Sequence, residues 1–215
     1  MAQVTNEQVH ISKIAVERLL VPIVGTAPLI MHNFSAKARR TMLDGMQGVK
    51  TPKEPKDPVA EYEAAFYRMN DGGFGFPVTA FKAATVGAAR FYGKDVRMTE
   101  LRQCLFMHGH VSEHEPQQLV RVYGEPRMRE DVVRIGGMSR GTDLRYRPEF
   151  REWSVLLDIV YVKSSLTRDS LLSLVDAGGM GIGVGEWRPE RRGEFGTYRI
   201  DPDKTIEINP DKKEA

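Results

Sequence analysis

Apolar and polar positions divide the chain into strand-like and helix-like segments. The apolar run at 14–24 predicts a first buried strand, and the run WSVLLDIVYV at 153–162 predicts the clearest strand of the chain. Apolar residues alternate with basic ones at 119–124 and 132–137, which is typical of exposed strands. A last core strand is predicted at 196–200. The pattern therefore indicates a sheet to which these segments contribute strands.

Helical spacing appears between these strands. Asp57 followed by Pro58 predicts a helix start, because the missing proline N–H costs nothing in the first turn. Small residues such as Ala84 and Gly87 would let another backbone approach one helix closely. Gly178–Gly179 are expected to stop the last helix, which Ser165 or Thr167 would cap. The other predicted helices cover 35–46, 79–91, the short run ELRQCLFM capped by Thr99, and Leu166–Asp176.

The order of elements predicts the fold class. Strand, helices, strands, helix and strand suit an α+β fold with a ferredoxin-like or RRM-like core, in which helices cover one face of an antiparallel sheet. We expect a single domain, 1–215, with a mobile loop near 47–57, an inserted β-hairpin or thumb near 110–151, and a C-terminal glycine-rich loop. No apolar stretch approaches the ~20 residues that span a bilayer, and the single Cys104 fits a reducing compartment. These features predict a cytoplasmic protein with no membrane partner.

The distribution of charge along the chain is more informative about a nucleic-acid partner than the total charge is. The net charge of +2 comes from 31 basic and 29 acidic residues, which is too small to argue for a nucleic-acid partner. Local excesses of +4 at 37–56 and +3 at 121–151 stand out. Solvated faces would produce the same pattern, so charge alone leaves both interpretations open.

The glycine-rich run Gly178–Gly196 is the most unusual segment. Gly181, Gly183 and Gly185 resemble a dinucleotide loop only superficially, because that fingerprint needs a strand before it and a helix after it. Here a predicted helix precedes and a strand follows, and the Gly-Lys-Ser/Thr of a Walker loop is absent.

Two interpretations of this run remain. Glycines allow positive φ and close approach, and successive N–H groups can form an anion-binding concavity. Trp187 offers a stacking surface, and Arg188, Arg191 and Arg192 add charge, which suits phosphates and bases. Alternatively, the run is a glycine-rich turn that packs against its own sheet and leaves the arginines in solvent.

Three segments carry a resemblance to a known family. VGTAPLIMHN (24–33), FPVTAFKAATVGAAR (76–90) and GIGVGEWR (181–188), continued through 193–198, occur in the expected order. Together they resemble the RAMP superfamily, RRM-like proteins that include the guide-RNA-binding backbone subunits of CRISPR effector complexes.

The resemblance implies a non-catalytic protein of antiviral defence that binds single-stranded RNA, or possibly DNA. It also implies self-association along the strand into a helical filament, and contacts with other effector-complex subunits. A stand-alone or phage-borne relative would fit the same motifs. Resemblance and charge together give the expected nucleic-acid-binding residues: Lys37, Arg39, Arg40, Lys82, Arg90, Arg134, Arg140, Arg145, Arg147, Gly183, Gly185, Trp187, Arg188, Arg191 and Arg192.

Two other functions stay open. The chain could be a structural assembly protein, for instance of a phage particle, that holds no nucleic acid. It could also be an RNA-cleaving member of the family, with His32 as general acid–base and Asp44 as the nearest acid. The histidines near Cys104 match no structural-zinc spacing, so we expect no metal and no cofactor.

Overall fold

The computed structural model describes residues 11–34, 36–49, 55–134 and 141–210. The expected binding residue Arg140, the side chain of Lys37 and part of the predicted mobile loop (50–54) lie outside this description. The strands are β1 (Val16–Gly25), β2 (Leu29–Ile30), β3 (Tyr67–Arg68), β4 (Phe74–Pro77), β5 (Leu105–His108), β6 (Leu119–Tyr123), β7 (Pro126–Arg134), β8 (Thr142–Phe150), β9 (Ser154–Val162), β10 (Tyr198–Ile200) and β11 (Glu207–Ile208). The helices are α1 (Ala36–Met46), α2 (Pro58–Ala64), α3 (Val78–Gly87), α4 (Met98–Cys104) and α5 (Arg168–Gly181).

An antiparallel sheet forms the centre of the molecule. Its strands follow the order β10-β1-β9-β6-β4-β3, with β11 beside β1 and β5 beside β9. Alternate residues of β1 and β9, such as Leu19, Val21 and Leu157, are fully buried and share one core with Phe81 of α3 and Leu171 of α5. This period of two is what the apolar runs predicted. The structure confirms the α+β class and the antiparallel sheet, while the ferredoxin-like or RRM-like assignment stays a prediction.

A long hairpin extends from this sheet. β7 pairs with β8 from Pro126↔Phe150 to Arg134↔Thr142, and β2 joins β8 to complete a three-stranded sheet. The prediction of an exposed strand at 119–124 is wrong: β6 pairs with β4 and β9 inside the main sheet, and Leu119, Val120 and Val122 are buried. The hairpin therefore occupies a shorter segment than the predicted insert at 110–151.

Both ends of α4 differ from the predicted ones. Residues 105–108 form β5 and do not continue the helix, because Leu105 and Met107 point into the core while their neighbours face solvent. Thr99 lies inside α4, whose N-cap is Arg97. By contrast, Asp57 caps α2 by accepting hydrogen bonds from two backbone amides, and Thr167 caps α5 by accepting one from Ser170, as predicted.

Gly178–Gly179 do not stop the last helix; α5 runs on to Gly181. Their missing side chains instead allow two close contacts. A Cβ on Gly178 would lie 2.7 Å from the carbonyl oxygen of Ala84, and one on Gly179 would lie 2.1 Å from that of Tyr198. The expected close approach of a second backbone to α3 is thus confirmed, and α5 is the element that makes it.

A buried carboxylate ties the far end of the sheet to α5. Glu17 accepts hydrogen bonds from Tyr161 (2.7 Å) and from the Arg168 guanidinium (2.9 and 3.1 Å), and is 5% exposed. The Arg168 and Tyr161 hydrogen bonds lower the pKa of Glu17 from 4.5 to about 2.

We expect Glu17→Gln to lower the free energy of unfolding at neutral pH by roughly 1–2 kcal/mol, the cost of losing a charged hydrogen-bond acceptor. Because the folded pKa is the lower one, this stabilisation is complete above the unfolded pKa and is lost as the pH falls through about 2. Urea unfolding at neutral and acidic pH should therefore show the difference from wild type shrinking below pH 4.5. The exposed Glu207→Gln serves as the control, and a pH-independent difference for Glu17→Gln would contradict the assignment.

Candidate nucleic-acid interface

The glycine-rich loop is fixed by its own hydrogen bonds. It follows α5 and leads into β10, as predicted, and includes a 3-10 turn at Pro189–Arg191. The amide of Val184 donates to the Gly196 carbonyl (2.9 Å), that of Glu186 to Ile30 (3.0 Å) and that of Gly196 to Pro28 (2.8 Å). The loop is therefore held against the segment around β2.

Close packing explains why two of the expected binding residues, Gly183 and Gly185, are glycines. Gly183 and Gly185 have φ of 69° and 78°, and a Cβ on Gly185 would lie 2.6 Å from the Ile30 carbonyl oxygen. The Gly183 amide donates to the Gly178 carbonyl at 2.9 Å. The expected concavity of free amides is thus not formed by Gly183, Val184 and Glu186, because their N–H groups are used inside the protein.

Trp187 is presented outward by a strained backbone. Its φ of 57° lies in the left-handed region that bulky residues avoid, and it is 44% exposed. The amide of Phe195 donates to its carbonyl at 3.1 Å, and Gly193 lies so close to that carbonyl that no side chain would fit there. Such strain persists only where the surroundings enforce it, so the loop fixes an aromatic surface toward solvent.

A buried network of alternating charges joins the loop to the hairpin. Arg147, 1% exposed, contacts Asp131 at 2.7 Å and Glu186 at 3.2 Å. Arg129 then bridges Asp131 (2.8 Å) and Glu149 (2.9 Å). Arg147, expected to contact nucleic acid, is enclosed because these carboxylates neutralise it inside the protein. It has no surface to offer a ligand and is left out of the interface.

His32 joins the same network from the other side. Its Nδ1 lies 3.5 Å from Glu186 Oε1, and its ring stacks on Phe34 at 5.9 Å between centroids. His32 and then Arg147 hold the pKa of Glu186 below its ordinary value. Asp44, the acid expected to assist His32, pairs with Arg40 one helical turn away at 3.2 Å. The acid beside His32 is thus Glu186, which sequence reasoning did not select.

Three open clefts adjoin one another on this side of the molecule. The first, of about 230 Å³, lies between α3 and the glycine-rich loop. A second, of about 320 Å³, shares His32 with the first and reaches Phe34 and Tyr146. A third, of about 310 Å³, shares Ala83 and Glu190 with the first and runs along the outer side of α3. We call these three clefts, of which neighbouring ones share lining residues, the track.

Basic side chains outnumber acidic ones along the track, six to four. The basic residues are Lys56, Lys82, Arg90, Arg102, Arg145 and Arg188. The acidic residues are Glu61, Asp143, Glu186 and Glu190. The track therefore carries a modest positive excess, and of its basic residues sequence reasoning missed Lys56 and Arg102.

Several of these cations already have partners within the protein. Lys82 donates to the Arg102 carbonyl at 3.2 Å and lies 5.1 Å above the Phe106 ring. Glu190 pairs with Arg188 at 2.9 Å and with Arg90 at 3.6 Å. Such exposed pairs are weak, so a phosphate could compete for these cations.

The remaining predicted residues lie outside the track. Arg191 and Arg192 are exposed in the glycine-rich loop and form no ion pair within the part of the chain that is described. Arg39 and Arg40 are exposed on α1, and Arg134 is exposed at the end of β7. The fold thus distributes these five predicted residues over a loop, a helix and a hairpin.

The chain was compared with protein families, curated proteins and solved structures. No family model matches the chain, and no curated protein matches it. Among solved structures the chain is similar to Cmr6 from Pyrococcus furiosus, with 10% identity, a TM-score of 0.44, and coverage of 88% of this chain and all of that one. A likeness at this level carries no functional argument.

Metal ligation and membrane insertion were considered next, one for the site and one for the helices. Within the described ranges, no three His, Cys, Asp or Glu side chains are grouped so that they could hold a metal ion. None of the helices described is long and apolar enough to cross a membrane.

Proposed function

We propose that the chain binds single-stranded nucleic acid along the track, with RNA preferred to DNA, and does not cut it. The lining residues that neighbouring clefts share are the observation that supports this proposal, because a flexible strand binds along a series of adjoining clefts and not in one closed pocket. Cations along a groove contact phosphates, and exposed aromatic rings stack on bases. Phe34 lines the second cleft, and the exposed Trp187 lies between Glu186 and Arg188, which line the first. Binding of this kind depends little on base sequence.

The resemblance of the three sequence motifs to RAMP proteins supports RNA as the ligand and an RRM-like core as the scaffold. By the same resemblance, protomers associate along the strand into a filament and meet other subunits of an effector complex. In this proposal His32 contributes to the track through its ring stacked on Phe34.

Removing two cations from the third cleft tests the proposal. Arg90→Gln with Arg102→Gln is expected to weaken binding of labelled oligouridine by about tenfold, measured by fluorescence anisotropy across a salt titration. If both side chains contact phosphates, the slope of log K against log salt should become shallower by about 1.4, or ~0.7 per lost contact on a single strand. Oligodeoxythymidine of the same length should bind more weakly than oligouridine.

A matched control removes the same charge nearby. Lys94 and Arg97 are exposed beside α4 but line none of the three clefts, so Lys94→Gln with Arg97→Gln should change affinity by less than about threefold. Equal losses in both double variants, or salt-independent binding by the wild type, would overturn the proposal. Shortening of the labelled RNA during incubation would instead favour the RNA-cleaving function.

One observation favours a second candidate, a structural assembly protein without nucleic acid. Arg90, Arg147 and Arg188 each pair with a carboxylate, as arginines that only stabilise a fold do. If purified oligomers show a protein-only absorbance spectrum and remain intact after nuclease treatment, this candidate gains over the first.

A further inference from the structure

β7 is a long edge strand. All nine of its residues pair with β8 on one side, and no strand of the described part of the chain lies along its other side. An exposed edge presents a row of backbone N–H and C=O groups that can pair with another extended chain. β7 begins with a proline, and five of its nine residues are charged. Charges on an edge strand block pairing unless the partner strand presents charges of opposite sign.

The outer face of the hairpin is partly apolar. Along β7, Glu130, Val132 and Arg134 are exposed and alternate with inward-facing residues. Val132 is 67% exposed and lies opposite Leu144 of β8, which is 37% exposed. Two apolar side chains therefore stand side by side in solvent, with a charge of opposite sign on either side of Val132.

We propose that β7 pairs antiparallel with β7 of a second copy of this chain, about a twofold axis at Val132. In this register Glu130 lies opposite the partner's Arg134, and Arg134 lies opposite the partner's Glu130. Val132 meets the partner's Val132, and the flanking Leu144 of each copy extends the contact into a row of four apolar side chains. Cross-strand pairs of both kinds stabilise sheets.

Other registers within β7 lack this complementarity. A twofold axis at Glu130 would place the two Glu130 carboxylates opposite each other, and like charges in that position are destabilising. An axis at Asp131 would place Glu130 opposite the partner's Val132. A shift by one residue on one strand would set outer-face residues opposite inner-face ones.

This contact differs from the association along a strand proposed above. A twofold strand pair is isologous and closes on itself, whereas a filament needs two different surfaces. The inference therefore rests on β7 alone and does not depend on the proposed function.

Charge exchange across the twofold axis tests the proposal. In sedimentation velocity over a dilution series of nuclease-treated protein, the wild type is expected to dimerise. Glu130→Arg alone and Arg134→Glu alone should each weaken dimerisation by about tenfold, because two attractive pairs become repulsive. The double variant Glu130→Arg with Arg134→Glu restores opposite charges and should recover the dimer.

Glu125→Arg is the matched control, since Glu125 is exposed at the other end of the hairpin and should leave the dimer unchanged. Both mutated side chains are solvent-exposed, so circular dichroism should show the same fold in every variant. A wild type that stays monomeric throughout the series, single variants that dimerise normally, or a double variant that fails to recover would each overturn the proposal. Because no nucleic acid is present, none of these results bears on binding along the track.

Discussion

Replacing Arg147 with methionine is expected to lower the free energy of unfolding by about 3 kcal/mol. Methionine fills a similar volume but leaves Asp131 and Glu186 without the guanidinium that lies between them. Loss of the Arg147 contact costs more free energy at Asp131 than at Glu186, because the Asp131 side chain is only 10% exposed. Asp131 keeps its contact with Arg129 (2.8 Å), but the network loses one of the cations that balance its buried carboxylates. Removing one partner of a buried pair costs more than the pair itself contributes.

Urea unfolding of Arg147→Met beside Arg191→Met measures this effect. Arg191 is exposed in the glycine-rich loop and forms no ion pair with any residue described, so the same substitution there should change stability by less than about 0.5 kcal/mol. Equal midpoints for the two variants would show that the network does not hold the hairpin to the loop.

Gly179→Ala is expected to destabilise the protein by about 2–3 kcal/mol, although alanine is the better helix former. The new methyl group would lie 2.1 Å from the Tyr198 carbonyl oxygen and 2.6 Å from its ring. That carbonyl belongs to β10, which is paired with β1, so it cannot move without disturbing the sheet. The gain in helix propensity, ~1 kcal/mol, is smaller than the cost of separating α5 from β10.

Gly45→Ala is expected to have the opposite effect on stability. Gly45 also lies within a helix, α1, but nothing lies within 4 Å of its Cβ position. Its substitution should be neutral or stabilising by up to ~1 kcal/mol. Thermal and urea unfolding of the two variants should therefore differ in sign, and a shift in the same direction for both would contradict the packing argument.

The predicted elements agree with the structure where local pattern decides the outcome. β1 and β9 carry the longest apolar runs and lie at the centre of the main sheet. The caps of α2 and α5 depend on a side chain and an amide two or three residues apart, so the sequence contains all the needed information. Gly178–Gly179 could not be interpreted from the sequence alone. Glycine can either end a helix or permit close packing against it, and the positions of α3 and β10 show that packing is its role here.

The candidate site was less predictable, because long-range pairing determines which cations are free. His32 and Glu186 are far apart in the chain and meet only when the glycine-rich loop folds onto β2. Arg147 lies directly opposite Arg129 in the β7–β8 register. Like charges in that position repel, and the fold offsets the repulsion with Asp131 and Glu149. A strand pattern alone gives no register, so it could not show that Arg147 is enclosed.

The hydrogen bonds within the glycine-rich loop have a consequence for recognition. A surface that has one conformation before its ligand arrives loses little conformational entropy on binding. The cost of ordering then falls on the flexible strand, whose backbone must adopt the path of the clefts. Between two strands of equal length and charge, the one whose backbone is already ordered along this path would therefore lose less conformational entropy on binding.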